Sequence, residues 1–307
     1  MKKSKGSPRP IPLYRRAARQ LRLTAEAAGI HLAALVFGLL PIDLASGLGG
    51  ALGRTIGPRL SVTRRARRNL ARAFPDLDAA GIEQIVRDMW DNLGRTAAEL
   101  PHLRHLLAPA NRHRVEVIGG EHVRHMVADG KPGIFFSGHL ANWELFSPVA
   151  LENGLRLAMV YRMANNEAAE RAIQQARGSD FADFMPKGSS TARRIIEIMR
   201  KGGHVGLLAD QKTNNGIPVP FFGRDAMTTP IIGLCAQRFD CPVVAVRAIR
   251  LKGAHFRAFI YPPLDLPRSP DGRVDPAATT ALINQTLEGF VREHPAQWMW
   301  LHRRWPD

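Results

Sequence analysis

From residue 115 onward, short apolar runs alternate with longer stretches whose apolar positions recur every three or four residues. The runs fall at 133–137, 156–161, 204–209, 242–249 and 255–260, and each has the length and composition of a buried strand. Stretches at 165–177, 191–200, 230–239 and 277–293 are amphipathic with helical spacing. This alternation predicts an α/β domain with a mixed, mostly parallel sheet flanked by helices, and reactive groups at the carboxyl ends of strands.

Upstream, 73–107 has a helical pattern, with Ile82, Ile85, Met89 and Trp90 spaced for one buried face after the turn Phe74-Pro75-Asp76-Leu77-Asp78. Between 27 and 42 no Lys, Arg, Asp or Glu occurs, and the apolar character resumes after Asp43 through Leu52. The uncharged stretch is shorter than the roughly 20 residues that span a bilayer, so spanning, re-entrant and interfacial readings all fit. Lys2, Lys3, Lys5, Arg9, Arg15, Arg16, Arg19 and Arg22 precede it, interrupted by Pro8, Pro10 and Pro12, which predicts a disordered start. A basic start before an apolar stretch is also the pattern of a secretory signal, but the basic part is long and no small-x-small cleavage site follows, which favours a retained anchor. Arg54, Arg59, Arg64, Arg65, Arg67, Arg68 and Arg72 come after it, so both flanks are basic and the positive-inside rule sets no orientation. Two basic flanks fit a helix or helical hairpin held at one leaflet, each cation gaining about 1 kcal/mol at an anionic surface. The expected organisation is a basic tail at 1–26, an anchor at 27–56 and a catalytic domain at 57–307.

A chain of 307 residues that is 45% hydrophobic fills a substantial core, so it is not a disordered protein. Its net charge of +16 calls for an anionic partner: nucleic acid, anionic lipid headgroups, an acidic carrier or a phosphorylated substrate. The two cysteines, Cys235 and Cys241, make neither a metal site nor a disulfide framework and read as reduced, buried thiols.

Chemistry enters with Gly138-His139-Leu140-Ala141-Asn142-Trp143-Glu144, set directly after the strand at 133–137. Within one regular helix, residues five apart differ by about 140°, so His139 and Glu144 would not share a face. With His139 on the turn and Glu144 in the first helical turn they can meet, giving an imidazole oriented by a carboxylate and able to take a proton from a hydroxyl. The segment resembles the H-x-x-x-x-D/E signature of glycerolipid acyltransferases, specifically the late acyltransferases of lipid A biosynthesis, the lauroyl/myristoyl transferase family. Further blocks resemble that family in the same order: Tyr161-Arg162-Met163-Ala164-Asn165-Asn166, Asp210-Gln211, Val219-Pro220-Phe221-Phe222-Gly223 and the tryptophan-rich block from Gln297 to Trp305. The similarity covers about 35–305.

The resemblance implies a glycerolipid acyltransferase-like fold with catalytic residues His139, Glu144 and Arg162. It also implies substrate contacts from Asn142, Trp143, Asn165, Asn166, Lys187, Asp210, Gln211, Phe221 and Phe222. Arg162 would act near the thioester carbonyl or a substrate phosphate, since a guanidinium stays charged and presents a planar fork of donors. Asn165 and Asn166 shape its loop or simply form a turn. Lys187 opens Lys187-Gly188-Ser189-Ser190-Thr191, a cation and a flexible backbone before a helix, which reads as a phosphate or carrier contact or a simple helix start. Asp210 ends a strand and is expected to pair with Arg162 or Lys187, or to hold a turn. Phe221 and Phe222 offer a dry wall for an acyl chain, or ordinary core packing. Trp298, Trp300 and Trp305, interleaved with His302, Arg303 and Arg304, suit a membrane interface or single-stranded nucleic acid.

By the same resemblance the donor is a fatty acyl thioester on acyl carrier protein or coenzyme A, with no cofactor. The acceptor is a lipid A precursor carrying a 3-hydroxyacyl group, and the setting is the cytoplasmic face of a bacterial inner membrane, among phospholipids. Another glycolipid acceptor, such as a phosphatidylinositol mannoside, is the neighbouring reading. From another class, a basic nucleic-acid- or membrane-binding module would lack a catalytic pair facing an apolar pocket. No His-Glu-x-x-His cluster and no Gly-x-Ser-x-Gly elbow occurs, which argues against a metallohydrolase and a serine esterase.

Overall fold

The computed structural model of the protein describes residues 13–306 apart from 165 and 179, so the start expected to be disordered, with Lys2, Lys3, Lys5 and Arg9, lies outside the described residues. Two helices open it, α1 (Leu13–Leu39) and α2 (Ile42–Ile56), broken at Pro41, whose missing N–H cannot continue a helix. Helices α3 (Thr63–Ala73), α4 (Ala79–Glu99) and the single turn α5 (Leu103–Leu106) follow. The α/β part runs β1 (Val115–Ile118), α6 (Gly120–Ala128), β2 (Gly133–Ser137), α7 (Phe146–Glu152), β3 (Leu157–Tyr161), α8 (Glu167–Arg177), β4 (Ala182–Pro186), α9 (Thr191–Arg200) and β5 (His204–Leu208). It ends with β6 (Ile217–Phe221), β7 (Arg224–Thr228), α10 (Ile231–Phe239), β8 (Val243–Arg250), β9 (Phe256–Pro263) and α11 (Pro276–Glu293).

The seven-stranded sheet has the order β1-β9-β8-β2-β5-β3-β4 and is parallel except for the β8–β9 pair. Thus the mixed, mostly parallel sheet flanked by helices expected from the pattern is what forms. Strand β2 is buried along its whole length because helices cover both faces, the reason central strands of such sheets read as continuous apolar runs. Ile134 and Phe136 point into a core shared with Leu70, Met89, Ile195 and Leu287, while Phe135 points into the opposite one with Val123, Val149 and Leu157.

Strands β1 and β4 escaped the apolar pattern because they are edge strands, half exposed, and β4 ends in a proline that only an edge tolerates. The segment 219–223 belongs to a β6–β7 hairpin whose turn residues Phe222 and Gly223 have φ of +53° and +66°. A mirror-image turn of this kind matches the twist of the strands. Positive φ is uncommon for a bulky residue; here the Phe222 N–H donates to Glu288 Oε2 at 2.5 Å and the ring packs on Trp300.

Helix α2 lies against α4 at glycine contacts. A Cβ added at Gly53 would sit 2.1 Å from the Trp90 carbonyl oxygen, and one at Gly94 2.1 Å from that of Gly49. By contrast α1 is little covered: its stretch Gln20–Leu39 is long and apolar enough to cross a membrane, and only 6% of that window is buried. Cys235 and Cys241 are buried free thiols, which burial pushes up to about 11 and about 12 respectively.

Candidate active site

Strands β2 and β5 are paired from Gly133 with His204 to Ser137 with Leu208. Continuing that register two residues beyond the last pair brings His139 opposite Asp210. The Asp210 carboxylate accepts from the backbone N–H of His139 at 2.7 Å and lies 2.8 Å from the ring Nδ1. Trp298 Nε1 donates to the same carboxylate at 2.8 Å. Burial pushes Asp210 up, but attraction to His139 and the hydrogen bonds from its ring and backbone prevail, so the carboxyl sits well below its usual range. An ionised carboxylate only accepts, so Nδ1 carries the proton and Nε2 is left as the acceptor, toward which the Gln211 amide donates at 3.3 Å.

The turn carrying His139 is strained and clamped. Ala141 has φ +46°, its carbonyl accepts from Asn92 Nδ2 at 3.1 Å and Thr96 Oγ1 at 3.0 Å, and its N–H donates to the Gln297 carbonyl at 2.8 Å. Asn142 caps the following 3₁₀ turn through the Glu144 N–H, while its amide donates to Glu99 at 2.9 Å. Glu99 is wholly buried, paired with Arg250 and hydrogen-bonded by Ser46 at 2.7 Å. Asn142 is therefore buried behind the turn and does not line the cleft.

Glu144 does not orient His139. Both its oxygens take 2.7 Å bonds from Arg177, and Oε1 also accepts from Trp143 Nε1 at 3.0 Å. The sequence expectation assumed that a face shared along the chain decides the partner. Instead the neighbouring strand supplies a carboxylate directly behind the imidazole, and α8 supplies a cation in front of Glu144. Arg177 is held above its ordinary range because attraction to Glu144 and a hydrogen bond outweigh the burial that opposes it. Its guanidinium also lies 5.5 Å from the Tyr161 ring and 5.4 Å from Phe184.

These groups bound a cleft of about 440 Å³. His139, Trp143, Arg162, Lys187 and Gln211 line its polar part, and Val160, Ile195, Leu207 and Ile231 its apolar part. Arg162 is exposed and has no ion pair among the described residues. The Lys187 ammonium bonds to Thr213 at 3.2 Å and is pulled below its ordinary range by burial and then by Arg162. Of the two readings of Asp210, pairing with a cation fails, because its oxygens are engaged by His139 and Trp298, while its bond to the His139 backbone N–H holds the turn. Asn166 donates to the Leu23 carbonyl at 2.9 Å, tying the loop at the cleft's rim to α1. Asn165 lies outside the described residues.

Two further expectations are corrected. Phe221 and Phe222 do not face the cleft; the hairpin turn tucks them into a core with Trp298, Trp300 and Trp305. Those tryptophans are 1%, 0% and 4% exposed, so they form no membrane interface. Instead the C-terminal segment closes the site from behind. Its Met299 N–H donates to the His139 carbonyl at 3.1 Å, and Trp298 forms a bridge with Leu140. His302 stands edge-on to His139, ring centroids 4.7 Å apart, with Nε2 buried and unpartnered. Burial, followed by repulsion from His139, lowers it to about 3, so it is neutral at physiological pH. Donor atoms of His139, Asp210 and His302 lie within 4.8 Å of one another, the spacing of a metal triad, but both Asp210 oxygens already accept hydrogen bonds.

Arg177, Glu99, Arg250 and His302 had gone unremarked as site residues. His302 falls in the tryptophan-rich block but the other three carry no local motif, and only the distance between the paired segments 133–137 and 204–208, carried forward to 139 and 210, links His139 to its carboxylate.

A mostly parallel sheet with a carboxylate-held imidazole beyond its strand ends, opening on a part-cationic, part-apolar cleft, is an arrangement that can take a proton from a hydroxyl beside an apolar substrate. The chain belongs to the bacterial lipid A biosynthesis acyltransferase family, whose model matches residues 15–307. It is 22% identical over 271 residues to a lipid A biosynthesis acyltransferase of Haemophilus influenzae, covering 87% of this chain and 83% of that one. Two Escherichia coli K12 relatives, a lipid A biosynthesis palmitoleoyltransferase and a lauroyltransferase, are 24% and 26% identical, with 86% of each chain covered. The protein is thus an acyltransferase, and its family supports acyl transfer to lipid A.

Proposed function

We propose that this enzyme transfers a fatty acyl chain from an acyl thioester to the hydroxyl of a 3-hydroxyacyl chain on a lipid A precursor, working at the cytoplasmic face of the inner membrane with α1 as its anchor. The observation that carries this reading is the His139 Nε2 lone pair on the cleft side, with ionised Asp210 behind the ring. Nε2 takes the proton of the acceptor hydroxyl as its oxygen attacks the thioester carbonyl carbon, and Asp210 stabilises the imidazolium. The negative charge on the carbonyl oxygen of the tetrahedral intermediate is met by Arg162 and by the Gln211 amide. Collapse breaks the carbon–sulfur bond, the imidazolium returns its proton to the departing sulfur, and an ester and a free thiol result.

The apolar lining of Val160, Ile195, Leu207 and Ile231 receives the acyl chain, each buried methylene contributing about 0.8 kcal/mol. Lys187, with no carboxylate paired to it among the described residues, suits a phosphate of the acceptor. The net charge of +16 favours acyl carrier protein, an acidic carrier, as donor.

The test is incubation of the purified enzyme with acyl carrier protein and coenzyme A thioesters of several chain lengths and a tetra-acylated lipid A precursor, with products weighed by mass spectrometry. A mass gain of one acyl chain, lost in His139→Ala, is expected. No acylated product from any donor would overturn the reading.

A further inference from the structure

Helix α2 carries an exposed apolar stripe that none of the described residues covers. Leu44, Leu48, Leu52 and Ile56 recur at every fourth position and are 49%, 44%, 51% and 53% exposed. Their helical spacing sweeps one face. The buried face, with Ala45, Ser46, Gly49 and Gly50, packs on α4, and at Gly49 and Gly53 the α4 backbone comes too close for any side chain, so the stripe cannot turn inward. Large apolar side chains held outward by a rigid contact mark an interaction surface.

We infer that α2 lies flat in the membrane interface, its leucine stripe immersed in an anionic lipid leaflet. Its 15 residues span about 22 Å, too short for a bilayer core of about 30 Å, and its C-terminal end is charged. Charge complementarity selects the partner. Arg54, Arg59 and Arg64 are exposed beside the end of the stripe, and the one acid of the helix, Asp43, is neutralised by Arg114 at 2.7 Å. A helix with an apolar face and a cationic edge is the form that binds an anionic leaflet in plane. The stripe also continues the exposed side chains of α1, Leu32, Leu35 and Leu39, which end three residues before α2 begins. Because Asn166 ties the cleft's rim to α1, the docked helices keep the cleft entrance beside the lipid surface from which a glycolipid would enter.

This inference rests on the membrane association proposed above, and the test separates the two. The full chain carrying Leu48→Cys or Leu52→Cys, and as control Gln285→Cys on exposed α11, is labelled with an environment-sensitive fluorophore and bound to phosphatidylglycerol-rich vesicles, with and without bromine on the lipid tails. Labels at 48 and 52 should shift to the blue and be quenched by brominated lipid, while the label at 285 stays accessible to aqueous iodide. Vesicle-bound protein whose labels at 48 and 52 are as open to iodide as that at 285 would overturn the in-plane docking but not the anchor. Protein that fails to float with vesicles at all would overturn the membrane association itself. A blue shift that follows protein density and is insensitive to lipid bromine would mean a second copy of the chain covers the stripe, and would also overturn the inference.

Discussion

His139 and Asp210 are separated by 71 residues, the same offset that pairs β2 with β5 along their whole ladder. The contact between the two side chains is thus an extension of the sheet's register, placed by the hydrogen-bonded strands beneath it.

Replacing Asp210 by Asn would offer the His139 ring an amide in place of an ionised carboxylate and favour the wrong tautomer. Turnover should fall by on the order of 10³ with little change in folded content by circular dichroism. Near-normal turnover in Asp210→Asn would show that His139 is oriented by another group.

Glu144 and Arg177 should behave as one unit. If Glu144 acts by holding Arg177 in the cleft wall, Glu144→Ala and Arg177→Ala each lower activity, and the double variant is little worse than either, a coupling on the order of 1 kcal/mol or more in a kinetic double-mutant cycle. Strict additivity would leave Glu144 with a role of its own.

Arg162 separates two kinds of electrostatic help. An oxyanion partner acts only in the transition state, so Arg162→Ala would lower kcat with little change in KM, whereas phosphate binding alone would raise KM. The kcat effect is expected, with poor rescue by Arg162→Lys, since lysine lacks the fork of donors. Unchanged kinetics in both variants would remove Arg162 from the site.

The buried Glu99–Arg250 pair holds the strained turn through Asn142 and Thr96. Arg250→Met leaves Glu99 buried without its cation and should cost about 3–5 kcal/mol, read as a lower urea midpoint. Replacing both partners by apolar residues of similar volume should recover much of that loss, while turnover stays low because the turn loses its clamp. Full recovery of turnover would limit the network to stability.

His302 predicts a pH dependence. Its folded value is depressed from 6.5 to about 3, so between those values the unfolded chain holds more protons than the native state, and stability rises with pH across that window. His302→Phe should flatten the stability curve between about pH 3 and 6.5, measured by urea unfolding at a series of pH values. An unchanged slope would mean that other groups, such as buried His204, carry it.

The elements of this protein were written locally. The apolar run at 133–137 is β2 residue for residue, and the amphipathic stretch at 191–200 is α9, because burial on both faces of a strand or one face of a helix imposes a period that a short window contains. The turn motif around His139, the cations Arg162 and Lys187 and the family itself were legible for the same reason: each is a contiguous block. Partner choice was not. Whether His139 meets Glu144 or Asp210 depends on the register of two strands 71 residues apart, and whether Trp298 faces lipid or a carboxylate depends on how the segment around it folds back onto the turn after β2. A phenylalanine turn that reads as an acyl wall becomes core once its hairpin takes positive φ and packs under the C-terminal tryptophans. Such pairings are set by long-range strand order and packing, which no local period encodes, so only the tertiary structure decided them.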